Sequence, residues 1–152
     1  MPSGNGIAAY ALGRLGHLLG ETRYLDAAER TLKAAWASIQ NAPSAYTALL
    51  LALEEHLSPQ QTIVLRGAPD EMKKWHELCS RRYAPGRITL AVPDDDEELP
   101  GWLGERRPVD GVAAYVCTGT VCSAPITSLS GLETELKKTE TGSSIKGTSP
   151  NL

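Results

Sequence analysis

The sequence predicts an α+β or α/β fold in two pieces, three helices followed by a small three-stranded, mostly parallel α/β unit. Before Ser58-Pro59 the apolar residues recur at helical spacing, and after it short β-branched runs alternate with helical segments. The 152 residues are 41% hydrophobic and 22% charged, which is enough apolar material for a packed core. We therefore divide the chain into a helical part, residues 1–59, an α/β part, residues 60–139, and a tail, residues 140–152.

The first predicted helix covers residues 6–19. Its apolar residues share one face at spacings of three and four: Ile7, Ala11, Leu15 and Leu18. Asn5 is the predicted N-cap, and Gly20 is expected to end the helix in the left-handed conformation. Gly13 and Gly16 weaken the interior of a helix, so their presence indicates a neighbouring helix at close approach.

Two more helices complete the helical part. The second covers residues 23–40, with Thr22 as its N-cap and one apolar stripe: Tyr24, Ala28, Leu32, Ala35 and Ile39. The third covers residues 44–57, after the break at Asn41-Ala42-Pro43. More than half of its circumference is covered by leucines: Leu49, Leu50, Leu51 and Leu53. A helix with so wide an apolar surface is expected to have neighbours on two sides.

The α/β part begins with a strand, a helix and a strand. Residues 62–66 form the first predicted strand, and the turn Gly67-Ala68-Pro69-Asp70 leads into a helix over residues 70–83, with Asp70 as its cap. Residues 87–92 form the second strand. Such a unit within about 30 residues predicts two parallel strands joined by a right-handed crossover.

The remainder of the chain is predicted as a loop, a strand, a helix and a tail. Residues 93–111 contain three prolines, at positions 93, 100 and 108, and an acidic run at 94–98, and are expected to form a surface loop. Residues 112–117 form the third strand, and residues 129–138 form the last helix. From Glu140 onward the composition is mainly Thr, Gly, Ser, Lys and Pro, which predicts a disordered tail.

Composition excludes several classes of function. The net charge is −3 and no basic stripe occurs, so we expect no nucleic-acid partner. The longest apolar run, residues 48–53, is far shorter than the roughly 20 residues that cross a bilayer. The N-terminus has no secretory signal pattern, and an odd number of cysteines is typical of a reducing compartment. The sequence therefore predicts a cytoplasmic protein without a membrane segment.

The cysteines offer three interpretations. Cys117 and Cys122 lie at the end of a predicted strand, five residues apart, which a turn could bring within disulfide distance. The favoured interpretation is a structural pair of thiols, with three free cysteines under reducing conditions and no bound zinc. A reversible redox role for the pair is the second interpretation. Zinc is the third, and it needs Cys79 and one histidine of His17, His56 and His76 to converge on the pair. We expect no cofactor and no metal.

Other motifs carry weaker signals. The turn after the first strand could bind phosphate, but it has one glycine where a dinucleotide fingerprint has three, and Asp70 adds negative charge. The acidic run 94–98 lacks the spacing of a calcium loop and is expected to be solvated. Ser3, Gly4 and Asn5 precede the first helix, where they either line a pocket or form a simple cap. No catalytic residue can be named from the sequence.

Several segments together resemble a known family. They are Pro2-Ser3-Gly4-Asn5-Gly6 before an Ala/Leu helix, Gly20-Glu21-Thr22-Arg23-Tyr24-Leu25, Pro43-Ser44-Ala45-Tyr46, and the ending Ala114-Tyr115-Val116-Cys117 to Cys122-Ser123-Ala124-Pro125. Their order is similar to that in the C-terminal portion of the thioredoxin-domain proteins called spermatogenesis-associated, or YyaL-like. The resemblance covers most of residues 1–139, and the Cys-x4-Cys-x2-Pro ending is its most specific match.

The resemblance implies a larger protein. Family members carry an N-terminal thioredoxin-like domain, an (α/α) toroid similar to six-hairpin glycosidases, and a small C-terminal α/β region. This chain would hold the last toroid helices and that region, as a truncated or split gene product or an excised piece. The favoured function is therefore that of a non-catalytic C-terminal segment, inactive on its own, whose partner is the upstream portion of the same protein or a second copy. The alternatives are a carbohydrate-active enzyme of the toroid type, using the Ser3-Gly4-Asn5 loop, and a thiol redox module.

Overall fold

The computed structural model describes residues 3–58, 60–81, 83–95, 99–107 and 109–142. This part of the chain has the α+β fold that the sequence predicts. Its helices and strands are, in chain order, α1 Gly4–Leu19, α2 Thr22–Asn41, α3 Thr47–Leu57, β1 Gln61–Gly67, α4 Pro69–Ser80, β2 Arg87–Pro93, β3 Ala113–Thr118, β4 Val121–Cys122 and α5 Leu129–Gly142. Short 3₁₀ helices, Pro43–Tyr46 and Gly101–Glu105, lie in two of the connections.

The three N-terminal helices pack with α1 in contact with both of the others. Gly16 of α1 lies against Leu25 of α2, so these two helices form an antiparallel hairpin. Gly6 lies against Ala48 of α3, and Arg14, about two turns later, reaches Glu55, so α1 and α3 run parallel. The core between them consists of small and aliphatic residues: Ala9, Leu32, Ile39, Leu49 and Ala52.

The four strands form one mixed sheet in the order β2-β1-β3-β4. β1 and β2 are parallel, which confirms the predicted strand–helix–strand unit. β3 is antiparallel to β1, and β4 is antiparallel to β3, so the sheet differs from the three-stranded, mostly parallel one expected. Apart from the short 3₁₀ helix Gly101–Glu105, the described residues between β2 and β3 form no helix, and β3 enters the sheet antiparallel to β1.

Both faces of the sheet are covered. Ile63 and Leu65 of β1 face the two C-terminal helices, in a cluster with Met72, Trp75, Cys79, Leu132 and Leu136. Val64, between them in sequence, faces the opposite side with Ala113, Tyr115 and residues of the long β2–β3 loop. This alternation is the period of two expected of a strand.

Helix boundaries correct several predictions. The N-cap of α1 is Ser3 rather than Asn5, and α2 begins at Thr22 itself, without a side-chain cap. Helix α4 begins at Pro69, which places Asp70 in the first turn instead of at the cap. Gly20 does end α1 in the left-handed conformation, with φ of 71°. Helix α5 continues to Gly142, so residues 140–142 of the predicted tail are helical and residues 143–152 lie outside the described residues.

Among the helices described, none has the length and apolarity needed to cross a membrane.

Candidate functional site

The Ser3-Gly4-Asn5 segment forms the start of α1. The Ser3 Oγ accepts a hydrogen bond from the backbone N–H of Gly6 at 3.0 Å, which is N-cap geometry. Gly4 and Asn5 are exposed in the first turn, and none of the three residues lines the two cavities described below. The segment therefore has the geometry of a simple cap, and its role in a pocket stays a prediction.

A polar cluster joins α1, α3 and the residue before β1. Arg14 Nε donates to both carboxylate oxygens of Glu55, at 3.2 and 3.0 Å, and Nη2 donates to Oε1 at 2.5 Å. Gln60 Nε2 donates to the same oxygen at 2.6 Å. The Arg14 guanidinium also lies 4.2 Å from the centre of the Tyr10 ring. The Glu55 carboxylate thus joins α1, which is 41 residues away in sequence, to the end of α3 and the start of the sheet.

The cluster changes the acid–base properties of its members. The hydrogen bond with Glu55 raises the pKa of Arg14 above its usual value, although burial opposes this effect. Burial and the neighbouring Glu55 raise the pKa of the Tyr10 hydroxyl. Arg14 is therefore a fixed cation and Tyr10 a neutral hydroxyl at neutral pH, which fits a structural ion pair rather than a proton-transfer site.

His17 lies one turn beyond Arg14, on the same side of α1. Burial lowers the pKa of its imidazole, and the neighbouring His56 lowers it further, while Glu55 opposes them. Its Nδ1 is buried and has no hydrogen-bond partner among the described residues, and the same holds for Gln60 Oε1. His17 is therefore neutral at neutral pH.

His17 and the polar cluster line a small cavity between the helices and the sheet. Its volume is about 20 Å³, and its polar lining comes from Tyr10, Arg14, His17, Glu55, His56, Gln60 and Thr62. A space of that size holds about one water-sized molecule, whereas pockets for organic ligands are many times larger. The cavity as it stands in this chain does not accommodate a sugar.

This cluster was not predicted from the sequence. Arg14 and Glu55 are 41 residues apart, and their contact depends on the parallel arrangement of α1 and α3. The sequence nevertheless indicated that Arg14 needs a partner outside its helix. Arg14 is the one arginine of α1, and α1 contains no aspartate or glutamate with which it could pair. A lone, partly buried cation in such a helix needs a partner from another element.

The predicted cysteine pair does come together. Cys117 of β3 and Cys122 of β4 lie opposite each other in the hairpin, with Cα atoms 3.9 Å apart, and form a disulfide. In this oxidised structure Cys79 is the cysteine without a disulfide, and the expectation of three free thiols under reducing conditions stays a prediction. The spacing of the two cysteines predicted that a turn could bring them together, whereas strand β4, only two residues long, was not predicted.

Arg106 lies beside the disulfide. Its Nη2 donates to Cys122 Sγ at 2.9 Å, and its guanidinium lies 5.9 Å from the centre of the Tyr115 ring. Its side chain is only 15% exposed, and Glu105 lies 3.6 Å from Nη1. A second cavity of about 20 Å³ adjoins these groups and is lined by Cys117, Cys122, Arg106, Trp102 and His17 among others.

The other motifs remain without a binding geometry. Asp70, in the first turn of α4, pairs with Lys73 at 2.7 Å, so the helix start carries its own negative charge where a phosphate would sit. The greater part of the acidic run, residues 96–98, lies outside the described residues. Within the described residues, no group of three or more His, Cys, Asp or Glu side chains is arranged to hold a metal ion.

These features define the class of protein only coarsely, as an α+β protein with a helical layer and a small mixed sheet that carries a hairpin disulfide. The chain is similar to spermatogenesis-associated protein 20 from Homo sapiens, with 27% identity over 133 residues. The match covers 83% of this chain and 17% of that protein, so the chain spans about a sixth of the length of the relative. No family model matches the chain, and no solved structure matches it. The likeness is consistent with the family that the sequence resembles.

Proposed function

We propose that this chain is a non-catalytic C-terminal segment of a larger thioredoxin-like, glycosidase-like protein, and that it acts by packing on the rest of that protein. The observation that supports the proposal is the outward face of α1, which we define as Ile7, Ala8, Ala11 and Leu15. All four residues are exposed, and the two large side chains retain 54% and 43% of their accessible surface.

The α1 face is unusual for a helix at a protein surface. Such a helix normally has charged or polar residues opposite its buried stripe. The buried residues of α1 are Gly6, Ala9 and Gly16, and the opposite side is apolar as well. Apart from Arg14 and His17, whose side chains line the small cavity, α1 is apolar around most of its circumference, and an exposed apolar face of this kind is typical of a surface that a neighbouring element covers.

Covering the α1 face would contribute useful stability. Full burial of an aliphatic side chain contributes roughly 1.5–3 kcal/mol, so covering the exposed halves of Ile7 and Leu15 contributes on the order of 1 kcal/mol each. Leu51 and Leu57 of α3 are also exposed, at 56% and 72%. The occupant we propose is an apolar helix of the upstream portion, and a second copy of this chain would take its place when that portion is absent.

The test is the association state of the isolated chain and of two variants. Leu15→Glu places a charge on the α1 face, whereas Ala34→Glu places the same charge at an exposed position of α2. In sedimentation velocity we expect the wild type and Ala34→Glu to self-associate at high micromolar concentration and Leu15→Glu to do so much less. A wild-type chain that stays monomeric, with α1, α2 and α3 all strongly protected in hydrogen exchange, would contradict the proposal.

A carbohydrate-active site at the Ser3-Gly4-Asn5 loop is the first alternative. It requires cavity walls from elsewhere, because the cavity beside α1 holds only about 20 Å³. Titration of the chain with mono- and oligosaccharides followed by tryptophan fluorescence tests it, and a saturable signal would favour it. The second alternative, a thiol redox module, has support of a different kind in the contact between Arg106 and the Cys117–Cys122 pair.

A further inference from the structure

The geometry points to a thiol–disulfide exchange site at the β3–β4 hairpin, in which Cys122 is the reactive sulfur, Cys117 is the resolving sulfur and Arg106 stabilises the Cys122 thiolate. The inference deepens the redox alternative and rests on it, but it does not depend on how the chain packs on a larger protein. It assigns a separate role to each of the three side chains, and each role has its own observation.

The two sulfurs differ in accessibility. Cys117 is buried, with 7% of its surface exposed, because it lies within β3 between β1 and β4. Cys122 is half-buried at the end of β4, beside the exposed Val121. A small molecule from solvent therefore reaches Cys122 first. Cys117 stays opposite Cys122 because the two residues are paired in the β3–β4 hairpin.

The two sulfurs also differ in their electrostatic surroundings. Arg106 donates to Cys122 Sγ at 2.9 Å, and a guanidinium stays charged at any pH the protein meets. The side chain of Arg106 is 15% exposed, so solvent screens its charge only partly. A cation beside a cysteine favours the thiolate, which is the nucleophile in exchange reactions. The contact therefore assigns the nucleophile to Cys122.

Other titratable groups around Cys122 do not cancel this effect. Glu105 lies 3.6 Å from the far nitrogen of Arg106, but its own side chain is 67% exposed and its influence is screened. Tyr115 faces Arg106 from β3, and its hydroxyl donates to the backbone carbonyl of Arg107 at 2.7 Å. His17 of α1 shares the adjoining cavity, and burial keeps it neutral. Among the residues that the structure describes, Arg106 is thus the charge that decides the state of the Cys122 thiol.

The partner is a small-molecule thiol–disulfide couple. In the oxidising direction the Cys122 thiolate attacks one sulfur of the small disulfide, which forms a mixed disulfide and releases one small thiolate. Cys117 then loses its proton to solvent and attacks Cys122 Sγ, which expels the second small thiolate. Two protein thiols thereby give up two electrons and two protons, and the small disulfide is reduced to two thiols.

Reduction follows the same path in reverse. A small thiolate attacks the accessible Cys122 Sγ and expels Cys117, and a second one attacks the mixed disulfide and expels Cys122. Arg106 assists this last step because a stabilised thiolate is a better leaving group. In the reducing compartment that the sequence predicts, the hairpin would therefore open readily.

The first experiment identifies the reactive sulfur. The reduced protein is alkylated with iodoacetamide between pH 5 and pH 9, and peptide mass spectrometry follows each cysteine. We expect Cys122 to react before Cys117, with an apparent pKa below the ordinary value of about 8.5. Arg106→Gln should slow alkylation of Cys122 at pH 7 about five- to tenfold, and Arg106→Lys should retain most of the rate. Arg107→Gln is the matched control, because its side chain is exposed and its backbone carbonyl remains.

The second experiment measures the equilibrium with reduced and oxidised glutathione as the probe. For the wild type we expect reversible two-electron exchange with glutathione. In Arg106→Gln the equilibrium constant should favour the disulfide about tenfold more, which corresponds to a reduction potential about 30 mV more negative. A disulfide that stays closed in the folded protein throughout the titration would overturn the redox role itself. Reversible exchange with faster alkylation of Cys117, or with equal rates and potentials in wild type and Arg106→Gln, would overturn the assignment of Cys122 and Arg106 alone.

Discussion

Glu55 is the residue through which the helices and the sheet meet. It accepts hydrogen bonds from Arg14 of α1 and from Gln60, one residue before β1. Its side chain is 21% exposed and that of Arg14 is 27% exposed, so water replaces these bonds only in part. Loss of the carboxylate would leave a partly buried guanidinium without its partner.

We therefore predict that Glu55→Gln lowers the free energy of unfolding by about 1.5–3 kcal/mol, the range for hydrogen bonds to charged groups. Urea denaturation followed by circular dichroism measures this. Glu29→Gln is the control, because Glu29 pairs with Lys33 on the surface of α2 at 2.7 Å. Exposed pairs of this kind contribute little, because solvent screens them. Equal losses in the two variants would contradict the role we assign to Glu55.

His17 makes stability depend on pH. Burial, helped by His56, lowers the pKa of His17 in the folded protein below the ordinary value of about 6.5. Between these two pKa values the unfolded chain binds more protons than the folded one, so stability rises with pH across that window. The contribution is complete above pH 6.5 and is lost as pH falls through the folded-state pKa.

The corresponding prediction is that His17→Gln flattens the dependence of unfolding free energy on pH just below pH 6.5. Exposed His76 on α4 provides the control, and His76→Gln should leave the slope unchanged. Thermal unfolding at half-unit steps of pH gives the slopes. An unaltered slope in His17→Gln would show that other groups carry the dependence.

Some residue contacts of this protein could be predicted from the sequence, and others could not. The apolar spacing of α1 and its glycines predicted a closely packed helix, and Gly16 does lie against Leu25. The pairing of Arg14 with Glu55 and that of Arg106 with Cys122 depend on which elements become neighbours in space, and periodicity along the chain does not contain that information. The cysteine pair was visible because its partners lie only five residues apart.

The α1–α3 contact requires glycine at position 6 but not at position 13. A Cβ at Gly6 would lie 2.7 Å from Ala48 Cβ and 2.8 Å from the backbone nitrogen of Leu49, and backbone atoms cannot move aside locally. A Cβ at Gly13, two turns later, would have no heavy atom within 4 Å. The close approach predicted for the glycines of this helix is therefore absent at Gly13.

These environments predict opposite effects of the same substitution. Gly6→Ala should destabilise the protein by about 1–3 kcal/mol through overpacking. Gly13→Ala should stabilise it by roughly 0.5–1 kcal/mol, because alanine favours a helix interior. Chemical denaturation of both variants measures the difference. Stabilisation by both, or destabilisation by both, would show that the spacing between α1 and α3 is not as described.

Long elements were more predictable than short ones. Three N-terminal helices, α4 and the parallel pair β1–β2 agree with their spacing patterns to within a few residues. β4 was not predicted, because a strand of two residues, Val121 and Cys122, is too short to show the apolar–polar alternation typical of a strand. The direction of β3 was not predicted because direction is set by the path of the preceding loop. The caps differed by one or two positions, since several polar residues near a helix start can each satisfy the same backbone N–H groups.

Cys79 reports on the stability of the whole α/β part. It is 3% exposed, in a cluster with Met72, Trp75 and Leu132, and burial raises the pKa of its thiol. Its reaction with an alkylating reagent therefore requires the protein to open. When opening is fast relative to alkylation, the rate follows the population of the open state.

We predict that Leu132→Ala accelerates alkylation of Cys79 by about thirtyfold or more. Leu132 is fully buried, and such truncations cost roughly 2–5 kcal/mol. Leu129→Ala, on the same helix but with Leu129 38% exposed, should change the rate only a few-fold. Mass spectrometry of the Cys79 peptide follows the reaction. Rapid alkylation of the wild type at neutral pH would mean that α5 does not hold this core closed.

The central place of β1 in the sheet has a consequence for biosynthesis. Gln61 pairs with Arg87 in β2 and with Thr118 in β3, so β1 has one partner about 26 residues later and the other about 57 residues later. A chain made from its N-terminus completes the α1–α2 hairpin first, through local contacts that form quickly. β1 then waits for β3 with one edge unpaired, and unpaired edges promote aggregation. Chains arrested between β2 and β3 should therefore be the ones that depend most on chaperones.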